Sequence, residues 1–181
     1  YLGRIDYYGK GIDQLLLAFE KIKKFNLKFK LNIYGPFASK KDKKLFVGHL
    51  RNFDTDTVEY CGAVYGEKKF VILKSSDLFV YPSRFEGIPR SIRESLYLGT
   101  PILVTKETNF AEYINKYNCG FVCKCLADDI YNSLLEFANH PEKEKLRTNS
   151  KYLMTEFYNW DKIRIKLNIL LNRFVENHSY K

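Results

Sequence analysis

Cysteine pairs at metal-ligand spacing are missing from this sequence. Its four cysteines, Cys61, Cys119, Cys123 and Cys125, form no Cys-x-x-Cys unit and have no paired histidines to join them, which argues against a zinc site. They read as reduced, mostly buried thiols of a cytoplasmic protein, and strand alternation would put Cys123 and Cys125 on one face. No apolar run reaches the roughly 18 residues that span a bilayer. No secretory leader is expected in this stretch, because Tyr1 to Asp6 reads as the end of a buried strand. A chain that starts inside a strand is expected to belong to something longer. Gly-x-Gly-x-x-Gly is absent, which argues against a nicotinamide dehydrogenase. No basic strand interleaved with aromatics and no helix-turn-helix pattern is found, so a nucleic-acid partner is not expected. Neither repeats nor low-complexity segments interrupt the chain.

What is present suits one globular domain. The 181 residues are long enough to bury a core, and 45% of them are hydrophobic. The net charge is +9, with lysines clustered at Lys21, Lys23, Lys24, Lys28 and Lys30 and again at Lys40, Lys41, Lys43 and Lys44. Such a surface suits anionic partners such as phosphorylated ligands or lipid headgroups, and equally suits a merely solvated face.

Apolar positions three and four apart, at Ile12, Leu15, Leu16, Phe19 and Ile22, predict a helix over 12–25. Residues 29–34 alternate and stop at Gly35-Pro36, as a strand does. Further helices are expected at 40–53, 66–74, 89–98, 110–116, 127–139, 142–157 and 160–176. Further strands are expected at 58–61, 77–81, 101–105 and 120–123. Strand and helix alternate from the first residue to about 140. That order predicts a Rossmann-like, three-layer α/β/α domain around a parallel sheet of about six strands. Ligands of such sheets bind beyond the carboxyl ends of the strands. The places to search are therefore Gly3 to Gly11, Gly35 to Ser39 and Ser83 to Ser91.

The stretch from Arg84 to Glu94, Arg-Phe-Glu-Gly-Ile-Pro-Arg-Ser-Ile-Arg-Glu, carries the most chemistry. It leaves a buried strand and enters a helix. Gly87 is expected to supply unusual backbone angles and close ligand approach. Pro89 suits a first helical turn. Backbone N–H groups from Ile88 to Ser91 would point outward at the helix start, an arrangement that binds phosphate. Glu86 and Glu94 flank that anion site. Carboxylates accept from hydroxyls, so the pattern fits a ligand with hydroxyls at both ends of a diphosphate. Read alone, Glu94 is also compatible with an exposed helical residue near a favourable dipole end.

Glu86 and Glu94, with seven residues between them inside Tyr-Pro-Ser-Arg-Phe-Glu-Gly-Ile-Pro-Arg-Ser-Ile-Arg-Glu-Ser-Leu-Tyr-Leu-Gly-Thr-Pro, resemble the hallmark of the family 4 glycosyltransferases. Tyr1 to Asp13, with Gly3-Arg4 and Lys10-Gly11, resembles that family's Gly-Arg…Lys-Gly opening of the donor domain. Leu31 to Pro36 resembles its second strand and glycine turn. The likeness covers roughly residues 1–125. It departs from many relatives in the five residues between Arg4 and Lys10 and in the extra charge of Arg90 and Arg93.

The resemblance implies a GT-B fold, two facing Rossmann-like domains, of which 1–181 would be the donor-binding half. An acceptor-binding domain would precede Tyr1, and the isolated piece would transfer nothing. Arg4 and Lys10 would neutralise the donor diphosphate, and Glu86 would hold the transferred sugar; these three are the implied catalytic residues. Gly3, Gly87, Ile88, Pro89, Arg90, Ser91 and Glu94 would bind the rest of a nucleoside diphosphate sugar, with Glu94 on the ribose. Tyr65 and Glu67 would lie near the base. Transfer would retain the anomeric configuration, with no metal and no cofactor required. The acceptor would be a glycan or lipid-linked glycan in surface polysaccharide assembly, at the inner face of the cytoplasmic membrane with peripheral association. A GT-B epimerase lacks the Gly-Arg…Lys-Gly opening. A binding domain without turnover has no need of intact Arg4, Lys10, Glu86 and Glu94. Paired acids also occur in glycoside hydrolases, but the basic setting points to a nucleotide leaving group. The apolar terminal segment, Trp160 to Phe174, is expected to pack into the core, or else to leave a surface for dimer contacts.

Overall fold

A computed structural model of the chain describes residues 1–157 and 159–178, with side chains as far as Val175. The elements run α1 (Ile12–Lys24), β1 (Leu31–Ile33), α2 (Lys40–Leu50), β2 (Val58–Tyr60), α3 (Glu67–Ser75), β3 (Phe79–Tyr81) and α4 (Arg90–Tyr97). They continue with β4 (Ile102–Thr105), α5 (Ala111–Tyr117), β5 (Gly120–Cys123), α6 (Ala127–Asn139), α7 (Lys143–Phe157) and α8 (Trp160–His178). Local chemistry sets several of these ends. Ser39 accepts from the Asp42 N–H at the start of α2, while Lys21, Lys23 and Lys24 sit in the last turn of α1, where the helix dipole favours cations.

Every strand pairing is parallel. β1 pairs with β2, and β3, β4 and β5 pair in that order. The opening residues do not form a ladder strand. They reach the sheet only through isolated parallel bridges, Leu2 to Tyr34 and Ile5 to Phe37. The reason is local: Arg4 O accepts both the Tyr1 hydroxyl at 2.8 Å and the Asp6 N–H at 3.2 Å, so the chain curls back on itself. The other flank of this segment meets β3, where the Tyr1 ring stacks on Tyr81 with centroids 5.6 Å apart. The ladder strands are therefore five, fewer than the six expected, in two groups, β2–β1 and β3–β4–β5, with residues 1–5 lying between them. The order reverses beside residues 1–5, and such a switch point opens a crevice at the carboxyl ends of the strands.

Helices cover both faces. α1 packs with α2 and α6, whereas α4 packs with α3 and α7, and α5 also lies on α7. Ile5, Ile12, Leu15, Leu16, Ile33, Phe46, Ile92, Leu96, Ile102 and Phe110 are fully or almost fully buried between these layers. α8 corrects the expectation of core packing. Its side chains from Trp160 to Val175 are all exposed, Ile165, Leu167, Leu170, Leu171 and Phe174 among them. Trp160, Ile163, Leu167, Leu170, Leu171 and Phe174 recur at three and four spacing and so line one face of α8, and that apolar face is exposed in this chain. No described helix is long and apolar enough to cross a membrane.

Candidate functional site

The crevice is built by two loops. The first, residues 6–11, leaves the opening segment and is closed by Asp6, whose side chain accepts from Gly9 N at 2.8 Å and whose carbonyl accepts from Lys10 N at 3.0 Å. Tyr7 N donates to Asp42 Oδ1 at 2.9 Å, tying the loop to α2. Gly11 ends the loop at φ +64°, and a Cβ there would stand 1.8 Å from the Pro82 carbonyl. Only glycine allows that backbone to lie against the second loop. The second loop, residues 82–89, leaves β3 and enters α4. Its middle is held by Asn109 N, which donates to the carbonyls of Glu86 and Gly87 at 3.2 Å each.

These loops bring Lys10 and Glu86 into direct contact. Both are largely buried, with side-chain exposures of 15% and 22%. The Tyr81 hydroxyl donates to the same Glu86 oxygen at 3.1 Å, and the Lys10 ammonium lies 5.8 Å from the Tyr81 ring centroid. Burial, then the Arg4 guanidinium, draw the Lys10 ammonium below its ordinary pKa, and Asp6 opposes them. Contact with Glu86 also works in the opposite sense, since an adjacent carboxylate favours the ammonium. Burial pushes the Tyr81 phenol up to about 12, while Arg4 acts to lower it. Arg4 itself is exposed, so it is the cation of the crevice that faces solvent. Gly3 lies under Tyr81, its missing Cβ only 3.4 Å from that ring.

Glu94 forms a second acid–lysine pair on the other side of α4. Its Oε1 lies 2.5 Å from Lys69 of α3, with exposures of 17% for Glu94 and 19% for Lys69. A cavity of about 510 Å³ adjoins it, lined by Phe70, Arg90, Arg93, Glu94, Tyr97 and Trp160 among others. A larger space, about 840 Å³, opens toward the amino ends of β1 and β3 and touches none of Arg4, Lys10, Glu86 and Glu94. Pro89 stands at the start of α4 and places no side chain over its first N–H groups. Arg90 and Ile88 are exposed there and Ser91 is half-buried.

Several expectations are corrected. Gly87 has no left-handed φ, and a Cβ there would meet nothing within 4 Å; what it leaves is open space rather than an unusual turn. Tyr65 is 70% exposed and Glu67 opens α3 in solvent, so both are accessible to a ligand, while Glu94 pairs with Lys69. Cys61 is exposed, unlike the other three thiols. The chain also carries one Asp-x-Asp spelling, Asp54-Thr55-Asp56, which reading the sequence passed over. It precedes β2 instead of following a strand, and Asp54 is occupied by Thr57, accepting from its N–H at 2.9 Å and its hydroxyl at 2.8 Å. That turn lies at the end of the sheet away from Glu86. Tyr81 and Lys69 were missed as site residues, although a phenol at the last position of a buried strand before Pro82 is a usable signal.

A parallel sheet that reverses its order beside a crevice at the carboxyl ends of its strands is the arrangement of a doubly wound α/β domain. Residues 1–153 match the family described as glycosyl transferases group 1, and the chain belongs to that family. Solved structures of the same fold include a sucrose-phosphate synthase from Thermosynechococcus elongatus, with a TM-score of 0.78 and 20% identity over 97% of this chain and 45% of that one. TarM has a TM-score of 0.76 and 23% identity, over 95% of this chain and 34% of that one. The catalytic domain of starch synthase IV from Arabidopsis thaliana, bound to ADP and acarbose, has a TM-score of 0.73 and 17% identity, over 97% and 38%. The chain thus spans less than half of each of these solved chains. No curated protein sequence matches it.

Proposed function

We propose that this domain binds the nucleoside diphosphate sugar donor of a retaining, family 4 glycosyltransferase. The observation that carries the reading is the convergence of Arg4, Lys10 and Glu86 at the switch point of the sheet. Arg4 and Lys10 neutralise the diphosphate, Arg as a fork and Lys as a point charge. The start of α4, around Ile88, Pro89, Arg90 and Ser91, receives the distal phosphate. Glu86 binds the hydroxyls of the transferred sugar, which occupies the space beside Gly87. Glu94 takes the ribose, and Tyr65 and Glu67 border the base.

Bond breaking leaves an oxocarbenium-like sugar and puts growing charge on the departing phosphate. Fixed cations aimed at that charge lower the barrier without reorganising during the step. Lys10 is engaged by Glu86, so donor binding moves the ammonium toward phosphate and frees the carboxylate for sugar hydroxyls. No metal is required in this scheme. The acceptor, a glycan or lipid-linked glycan of surface polysaccharide assembly, is held by a preceding domain at the cytoplasmic membrane face. The 181-residue piece alone binds donor and transfers nothing.

Calorimetric titration with UDP, GDP, ADP and their sugar conjugates, without metal, tests this. Saturable binding to one nucleotide is expected, weakened about tenfold or more by Arg4→Ala and by Glu94→Ala, since each tenfold is about 1.4 kcal/mol. Binding that survives both substitutions unchanged, or robust sugar transfer by this piece, overturns the reading.

A further inference from the structure

Lys10 and Glu86 meet across two loops that have no covalent reason to hold a fixed spacing, and a single side-chain clasp spans both. Arg84, two residues before Glu86, points its fork at Asp13 at the start of α1. Nη1 lies 2.6 Å from Oδ1 and Nη2 lies 2.7 Å from Oδ2. The same Nη1 donates to the Tyr8 carbonyl. The Arg84 backbone N–H donates to the Gly9 carbonyl at 3.1 Å, and the buried Ser83 hydroxyl reaches that carbonyl at 3.2 Å. Asp13 is 8% exposed, and a bidentate pair at such a position fixes orientation as well as distance. Residues 83–84 therefore grip residues 8–9 at three donor groups, with Lys10 immediately beyond one end of the grip and Glu86 just beyond the other.

We infer that the Arg84–Asp13 clasp is a positioning device that sets the Lys10–Glu86 contact, and through it the charge presented to the donor. Neither residue touches Lys10 or Glu86 directly, so both act by holding the loops in register. The inference rests on the donor-site reading for its function, although the positioning itself does not. Lys69 of α3 offers an internal comparison, because it pairs with Glu94 of α4 and is outside the clasp.

The test measures amine acylation of Lys10 and Lys69 by peptide mass spectrometry in the 181-residue chain and its Arg84→Gln, Asp13→Asn and Arg84→Lys variants. UDP, GDP and ADP titrations run beside it. Arg84→Gln and Asp13→Asn should raise Lys10 labelling about fivefold or more with Lys69 unchanged, a ratio small against complete unfolding. Arg84→Lys should fall between, since lysine keeps the charge and loses the fork. Lys10 labelling that stays at the wild-type rate overturns the inference. So does a parallel rise at Lys69 in all three variants, which would make the clasp a general stabiliser. Should the unaltered chain bind none of the nucleotides while Lys10 still responds selectively, the donor reading fails and the clasp stands.

Discussion

The two acid–lysine pairs that flank α4 look alike in sequence terms and are built differently. At the Glu86 end, Lys10 and the Tyr81 hydroxyl converge on one carboxylate oxygen, the backbone is held by Asn109, and Arg84–Asp13 locks the loops together. At the Glu94 end a bond from Lys69 joins the acid to the short helix α3, and the neighbouring loop containing Cys61 and Tyr65 is exposed. The difference fits the two jobs proposed. Chemistry at the sugar requires groups fixed before reaction, while nucleoside recognition tolerates an element that adjusts as the ligand arrives.

The largest effect that separates the two ends is expected from glycine. Gly11→Ala should cost about 3 kcal/mol or more, because its Cβ collides with the Pro82 carbonyl in a left-handed conformation. Gly87→Ala should stay within about 0.5 kcal/mol of the parent, since nothing stands within 4 Å of its Cβ. It should nevertheless weaken binding of the nucleotide sugar more than that of the nucleoside diphosphate. Urea midpoints and calorimetry check both, and equal stability losses would erase the contrast. A smaller effect comes from the polar partners. Tyr81→Phe, which removes a donor to a carboxylate, should lower stability by about 1.5 kcal/mol. Lys69→Gln, which keeps a donor to the Glu94 carboxylate, should lower it by less than about 1 kcal/mol. The reverse order would make the Glu94 end the more tightly built.

The smallest effect costs no stability and concerns thiols. The thiolate is the nucleophile, so a raised pKa lowers reactivity at a given pH. Burial pushes Cys119 and Cys123 up to about 12 and Cys125 up to about 11. Cys125, which donates to the Pro82 carbonyl at 3.1 Å, lies under the Glu86 end. Iodoacetamide at pH 8 should therefore modify the exposed Cys61 first and leave Cys125 largely intact. Comparable rates at the two would mean that the Glu86 end opens in solution.

The elements were legible because their signals are local. The spacing of Ile12, Leu15, Leu16, Phe19 and Ile22 and the run from Phe79 to Tyr81 gave α1 and β3 within two residues. The opening segment was read as strand from its apolar residues, and its failure to form a ladder depends on Tyr1 and Asp6 both returning to the Arg4 carbonyl. The motif acids were legible as a pair through their spacing, but their partners were not. Lys69 pairs with Glu94 across 25 positions and Arg84 with Asp13 across 71. In a chain with 30 lysines and arginines no local pattern distinguishes those two. α8 misled for the opposite reason: its apolar stripe has the period of a core helix, while the element that would cover it is not set by any local pattern, and the stripe is exposed.

The single tryptophan, Trp160, stands at the start of α8, is 74% exposed and lines the cavity that Glu94 adjoins. The domain thus carries one optical probe, placed at one end of its site. Indole emission from this chain should be that of a water-bathed ring, nearly silent about changes around Glu86. Anything that settles into the cavity beside Glu94, or covers the first turn of α8, should shift that emission to the blue.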